Sequence, residues 1–450
     1  MLRSQAHHPQ RQMAVPLIRR NYLLAIANGA IVHMGMRMVD PVTVISLLVL
    51  RLSGLNWIIG LTTALVQAAR VSVQVIAARY LDTMPRKRPQ YIVATVVRVL
   101  ALLAAGMLLI YGKFLRFAWL LVFLELALVA LSAGMGVAGL VWSDVVAKSV
   151  PTTKRGSLVM YRFVCGLSLA QLVAVPVVRL VLGPESGLGF PANYGVLFII
   201  SAIVRAIAWV TFFFVDEPPS QAQRHRLTLL QHLFRGPRLL RRDRDYRRLL
   251  IVQLLSASAA AGGGFYIALA RTEWGLPDRY AAYFMTAQII AGIVSAIALG
   301  RISDLYGNRL VILLARGAAL VSTVAAAIAA LAPPQGALQL AGHVIPTKHL
   351  VLALAFAGHG FVMYGGFVGE FNYMLDIAPP SRRPSYLGFA GLFLLPVSFV
   401  PMVMGFLADW GSYGLVFGIC VALALASLAA SRKLEEPREE LEEVFPNAAK

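Results

Sequence analysis

The chain has 450 residues, of which 58% are hydrophobic and 14% charged, and its mean hydropathy is +0.72. A water-soluble domain of that composition has too few polar groups to cover its surface, so the sequence describes an integral membrane protein. The formal charge of +20 is gathered into particular loops, which reports topology and contact with anionic headgroups and removes the need for a nucleic-acid partner.

Residues 1–20 hold Arg3, Arg11, Arg19, Arg20 and two prolines, without a short apolar stretch ending at a small-residue cleavage site. A cytoplasmic segment with no removable signal is expected there. Apolar runs of spanning length follow near 21–50, 55–78, 90–111, 117–142, 157–182 and 193–215, and again near 248–270, 280–300, 310–331, 348–375, 385–408 and 412–431. The expected fold is all-α and integral to the membrane, about twelve transmembrane helices in two pseudo-symmetric six-helix bundles, 21–215 and 248–431. Between them, 216–247 places Leu227, Leu230, Leu233, Phe234 and Leu240 at helical spacing among arginines, the pattern of a basic amphipathic linker or of a solvated tether. The acidic tail, 432–450, is expected to be exposed or disordered. Cys165 and Cys420 lie far apart in apolar runs and read as packing residues, with no metal cluster or disulfide framework.

Loop charge sets the orientation. Loops after the even spans carry Arg86-Lys87-Arg88, Lys148 with Lys154-Arg155, Arg224 to Arg248, Arg301 with Arg309, and Arg382-Arg383, while the opposite loops are poorer in basic residues. This predicts a multi-pass protein of the inner (plasma) membrane with both termini cytoplasmic.

One loop is repeated. Gly300-Arg301-Ile302-Ser303-Asp304-Leu305-Tyr306-Gly307-Asn308-Arg309 has a fainter copy in Ala78-Arg79-Tyr80-Leu81-Asp82 followed by Arg86-Lys87-Arg88, about 220 residues earlier. A second pair, Ser149 to Gly156 and Ile377 to Pro384, aligns without gaps at a similar offset. Two loop pairs at one spacing mark a duplicated helical bundle. The Gly300 to Arg309 loop, set in this six-plus-six pattern, resembles the signature loop of the major facilitator superfamily of secondary transporters. Gly300, Asp304, Gly307 and Arg309 match, whereas Leu305 stands where a basic residue is common, and Ala78 and Pro85 replace the glycines of the first copy. The resemblance implies alternating access of two bundles about a central site. On that reading Arg79, Asp82, Arg88, Gly300, Arg301, Asp304, Gly307 and Arg309 form a gate on the cytoplasmic face. An acid at a helix end can pair with loop arginines and accept amide hydrogen bonds from a neighbouring helix start in one state only. The alternative for these residues is a purely topological role.

Ionisable residues inside spans are expensive and point to partners or a watery cavity. The first span has His33, Arg37 and Asp40; the last two are three residues apart and can neutralise each other on one helix face, next to Pro41, which favours a bend. Arg70, Glu125 and Arg205 lie in the second, fourth and sixth spans, and His359 and Glu370 in the tenth. Asp40, Glu125 and Glu370 are the candidates for coupling transport to protons or another ion. Arg37, Arg70 and Arg205 together suggest an anionic or zwitterionic substrate. Arg98, Arg162, Arg179 and Arg316, nearer span ends, are expected to snorkel. The glycine runs 262–264 and 358–369 allow either bending or tight packing.

The glycine and proline pattern of export-type antiporters is absent from Tyr161 to Gly183, and nothing resembles a nucleotide-binding loop or a zinc helix. The reading is a monomeric secondary active transporter of a small organic solute, coupled to protons, without cofactor, metal or catalytic residues. A drug or metabolite exporter, a membrane-embedded binding or scaffold protein, and an intramembrane enzyme are the alternatives.

Overall fold

In hydrocarbon every backbone polar group needs an internal partner, so long apolar runs fold as helices. The structure, a computed structural model, describes residues 15–81, 84–217, 240–340, 343–379 and 383–436. Twelve of its helices are long and apolar enough to cross a membrane. They are α1 (Pro16–Ser53), α2 (Asn56–Ala77), α3 (Arg88–Tyr111), α4 (Phe117–Val146), α5 (Ser157–Leu182) and α6 (Ala192–Phe214), then α7 (Arg244–Thr272), α8 (Tyr280–Tyr306), α9 (Asn308–Leu331), α10 (Thr347–Ile377), α11 (Phe389–Trp410) and α12 (Tyr413–Ser431). Loops after even helices share one face, here the basic face, and those after odd helices share the opposite face. A hairpin of β1 (Ala337–Leu340) and β2 (His343–Pro346) lies in the loop between α9 and α10.

Five helices are interrupted in mid-course. Wide π turns occur at Pro41–Ile45 in α1, Ala170–Ala174 in α5 and Val362–Gly366 in α10, and tight 3-10 turns at Ala261–Gly263 in α7 and Leu395–Phe399 in α11. The sequence supplies the causes: Pro41, Pro176 and Pro396 each remove an amide donor, and the glycine runs in α7 and α10 lower the resistance to bending. Asp40 stabilises the first break, accepting from the backbone N–H groups of Val42 and Thr43 at 3.0 Å each and from the Thr43 hydroxyl at 3.1 Å.

The two six-helix bundles meet along two antiparallel seams, α2 against α11 and α5 against α8. Glycine sets the first. A Cβ at Gly60 would strike the Pro401 carbonyl, and one at Gly405 would strike Trp57 Cα and the Asn56 carbonyl, so the two backbones touch. Trp57 and Phe406 stack beside this contact with ring centroids 5.2 Å apart.

The linker at 218–239 and the tail at 437–450 lie outside the described residues. The start of the tail departs from its expectation of exposure: Leu434 and Glu436 are buried, because Glu436 closes the start of α9. Arg98, Arg162 and Arg316 do not snorkel. Packing turns them inward toward Thr95, the Ala25 carbonyl and Glu370, and Arg98 and Arg316 are 5% and 2% exposed. Replacing Gly405 by leucine should separate α2 from α11 and lower stability by about 1–3 kcal/mol through overpacking, read as an earlier thermal midpoint in detergent; an unchanged midpoint would place the seam elsewhere.

Candidate functional site

On the basic face, the repeated loop fastens each bundle to itself. Gly307 has φ +82°, a conformation open to glycine, and turns the chain from α8 into α9. The Ser303 hydroxyl donates to Asn308 Oδ1 at 2.6 Å, and Asn308 Nδ2 donates to Asp376 at 2.7 Å, which ties the loop to the end of α10. The Arg309 backbone N–H donates to Glu436 at 2.8 Å. In the other half, Glu217 accepts from the backbone N–H groups of Lys87 at 2.8 Å and Arg88 at 3.0 Å, with Lys148 3.5 Å away and Lys87 paired to Asp144 at 2.9 Å. Both glutamates therefore cap the start of a third helix, where the backbone dipole favours an anion. Sequence reasoning missed the pair, although Asp216-Glu217-Pro218 and Glu435-Glu436-Pro437 repeat 219 residues apart. Beside it, the Arg248 guanidinium holds the Glu435 carboxyl below the usual carboxylate range, at 2.5 Å. Arg88, Arg301 and Asp304 are exposed, and Gly300 has open space around its Cα. Asp82 and the side chain of Arg79 lie outside the described residues.

The acid-on-helix-start geometry expected at the loop joins the bundles at the opposite face. Asp409, ending α11, accepts from the backbone N–H of Asn56 at 2.8 Å, the Asn56 amide at 2.9 Å and the backbone N–H of Trp57 at 2.8 Å, so it caps α2 across the seam. Tyr413 adds a hydroxyl to Asn56 Oδ1 at 2.9 Å. A second acid, Asp278, is 6% exposed and sits between amino-half residues: it pairs with Arg51 and accepts from the Tyr194 hydroxyl at 2.9 Å, while Arg51 lies over the Phe190 ring at 4.0 Å. Glu185 and Arg279, 4.0 Å apart and well exposed, form a looser third contact.

At mid-depth, the broken parts of α1 and α10 face each other. Arg37 pairs with Asp40 and donates to the hydroxyl of Tyr364, which belongs to the other bundle. Phe163 packs edge-on against Tyr364 at 5.2 Å and tilted against His33 at 5.0 Å. His359 lies against Gly263 and within electrostatic reach of Arg37 and Asp40. The structure thus gathers four of the sequence candidates, His33, Arg37, Asp40 and His359, and adds Tyr364 and Phe163. Gln288 of α8 is fully buried with both amide atoms lacking a partner among the described residues.

The remaining candidates separate. Glu125 bonds the Thr62 hydroxyl through one oxygen, and its other oxygen is buried without a partner among the described residues. Glu370 is taken by Arg316 at 2.5 Å and by Gln253 at 3.3 Å. Arg70 is exposed on α2, and Arg205 is 2% exposed, its side chain against Gly35 of α1.

Twelve spanning helices in two bundles, with charged groups held between them, define a polytopic membrane transporter fold. The sequence profile of the Major Facilitator Superfamily matches residues 159–392, just over half of the chain, and the protein belongs to that superfamily. Solved structures share the fold. The nucleoside transporter NupG is 14% identical with a TM-score of 0.66, covering 93% of this chain and 100% of its own. A bacterial homologue of the iron transporter ferroportin, inward-facing, is 16% identical (TM-score 0.62; 94% and 99%). The E. coli fucose:proton symporter FucP is 12% identical (TM-score 0.59; 92% and 98%). No curated protein sequence matches the chain.

Removing the Asp278 carboxylate strands Arg51 and should weaken closure of the opposite face by about 2 kcal/mol, roughly thirty-fold in the closed-to-open ratio. Spin labels at Leu55 and Glu273 report it: Asp278→Ala and Asp409→Ala should lengthen and broaden their distance distribution. An unaltered distribution in both variants would show that neither acid holds the bundles together.

Proposed function

We propose that the protein is a secondary active transporter that moves a small organic solute by alternating access and draws on a proton gradient. The carrying observation is the pair of cross-bundle acids at the opposite face. Asp409 and Asp278 hold contacts that a rocking motion must break, so the geometry suits a state closed on that side and open, or able to open, at the basic face. With the basic loops in the cytoplasm, as the positive-inside bias supports, this is an inward-facing state. The basic-face residues Asp82, Asp304, Arg79 and Arg301 then serve as the complementary gate in the outward-facing state. The tie between Arg37 and Tyr364 crosses from one bundle to the other at mid-depth, where a bound solute can replace it.

Among the candidate carboxyls, Glu125 suits proton coupling best. Asp40 is held by Arg37, two backbone amides and a hydroxyl, and Glu370 by Arg316, so each is fixed by its partners. Glu125 has a hydroxyl partner and no cation partner among the described residues, and a carboxyl in such surroundings can gain and lose a proton as access alternates. In proteoliposomes, Glu125→Gln should abolish uphill accumulation under an imposed pH gradient while leaving solute exchange at zero gradient intact. Accumulation equal to that of the unaltered protein would remove Glu125 from coupling, and absence of exchange in the unaltered protein across the solutes that stabilise it would remove transport itself. At 16% identity the likeness to the ferroportin homologue is one of fold.

A further inference from the structure

Three arginines enter the amino-terminal bundle from three helices and find aromatic faces instead of carboxylates. Arg98 of α3 is 5% exposed, bonds the Ala94 carbonyl at 3.0 Å and the Thr95 hydroxyl at 2.8 Å, and lies 3.9 Å above the Trp209 ring. Arg205 of α6 lies 5.2 Å from the centroid of the same Trp209 ring, touches the Met135 sulfur at 3.8 Å, and has a buried Nε with no partner among the described residues. Arg162 of α5 donates to the Ala25 carbonyl at 3.1 Å and stacks 4.1 Å over Trp142, whose own Nε1 is buried without a partner among the described residues. Glycines make room for all three. A Cβ at Gly29 would strike Arg162, one at Gly35 Arg205, and one at Gly134 Arg98, so the side chains lie in notches on α1 and α4. His33, between the first two notches, is within electrostatic reach of Arg162, Arg37 and Arg205.

The carboxy-terminal bundle shows how the same architecture neutralises a buried arginine. There Arg316 of α9 meets Glu370 of α10. Glu370 stands nine residues before Pro379, and nine residues before the matching Pro151 the amino half has Trp142. At that position one half has a carboxylate facing the arginine of its third helix, and the other an indole facing Arg162 of its fifth, with a donor that has no partner among the described residues. Guanidinium stays charged at any working pH, and a buried cation without a counter-ion is unfavourable, which stacking on an aromatic face offsets only in part. Asp40 offsets Arg37, which leaves three cations with no carboxylate partner, and two donors, Arg205 Nε and Trp142 Nε1, with no acceptor, among the described residues.

We infer that the transported solute is an organic anion whose acceptor oxygens are taken up by Arg162 and Arg205 on the His33 flank of α1, with Arg98 adding charge from behind. A ligand rich in acceptors and poor in donors completes this set, whereas a neutral or cationic solute leaves it unpaired. The wall formed by Phe163 and Tyr364 offers the rest of the solute an aromatic surface. The inference rests on the transport reading, but it is tested by binding, so failure to bind anions leaves flux data standing and absence of flux leaves binding data standing.

The experiment is thermal stabilisation of the purified, delipidated full-length protein by benzoate, succinate, citrate and glycerol 3-phosphate, against benzamide, succinamide and glycerol. At least one anion should raise the midpoint, and its neutral counterpart should not; the responding member separates a carboxylate from a phosphate. Arg162→Gln and Arg205→Gln should each weaken the apparent affinity about tenfold or more, with partial recovery in Arg205→Lys. Trp142→Glu, which copies the carboxy-terminal solution, should abolish anion binding while keeping or raising the ligand-free midpoint. Stabilisation by none of the four anions, equal stabilisation by the neutral compounds, or full anion binding in both glutamine variants overturns the inference. Stabilisation by phosphatidylglycerol alone reassigns the cluster to a lipid headgroup and overturns it equally.

Discussion

Two carboxylates of the carboxy-terminal bundle, seated in the amino-terminal bundle, hold this molecule in the arrangement seen. Asp409 satisfies amide donors that the first turn of any helix leaves open, and Asp278 neutralises Arg51 within a buried pocket. Neither contact lies inside a bundle. Each bundle is already complete, with its apolar faces packed and its third helix capped by its own glutamate, Glu217 or Glu436. Stability within bundles and adhesion between them are thus carried by different residues, which is what two rigid bodies that must part and rejoin require.

The halves share a plan and differ in charge. Both begin the third helix at a glutamate cap, both break their first and fifth helices, and both turn an arginine inward from the third. They diverge in what meets that arginine: Glu370 pairs with Arg316 in one half, whereas Arg98 lies over the Trp209 ring in the other.

Much of this was legible in the chain because its causes are local. Hydropathy over twenty residues located the twelve spans, Gly307 announced a turn that glycine favours, and Arg37 with Asp40 declared a pair through their spacing of three. The contacts between bundles were not legible in the same way. Asn56 and Asp409 are 353 residues apart, Arg51 and Asp278 are 227 apart, and no periodicity encodes which loop acid meets which helix start. Arg98 and Arg316 misled for a related reason: position along a span suggests snorkelling, while the direction of a side chain is set by which helix packs beside it. The acid-and-proline repeat at Glu217 and Glu436 was visible but had no meaning until the third helix was found to begin against it.

The glycine contact between α2 and α11 lies off-centre. The helix that begins at Asn56 runs to Leu81, and Gly60 stands only about 6 Å along it, with about 31 Å of rod beyond. If the bundles rock about that contact, as the proposed function requires, displacement is multiplied roughly fivefold at the far end. A shift of an ångström or so beside Asp409 would then correspond to a wide aperture at the other mouth.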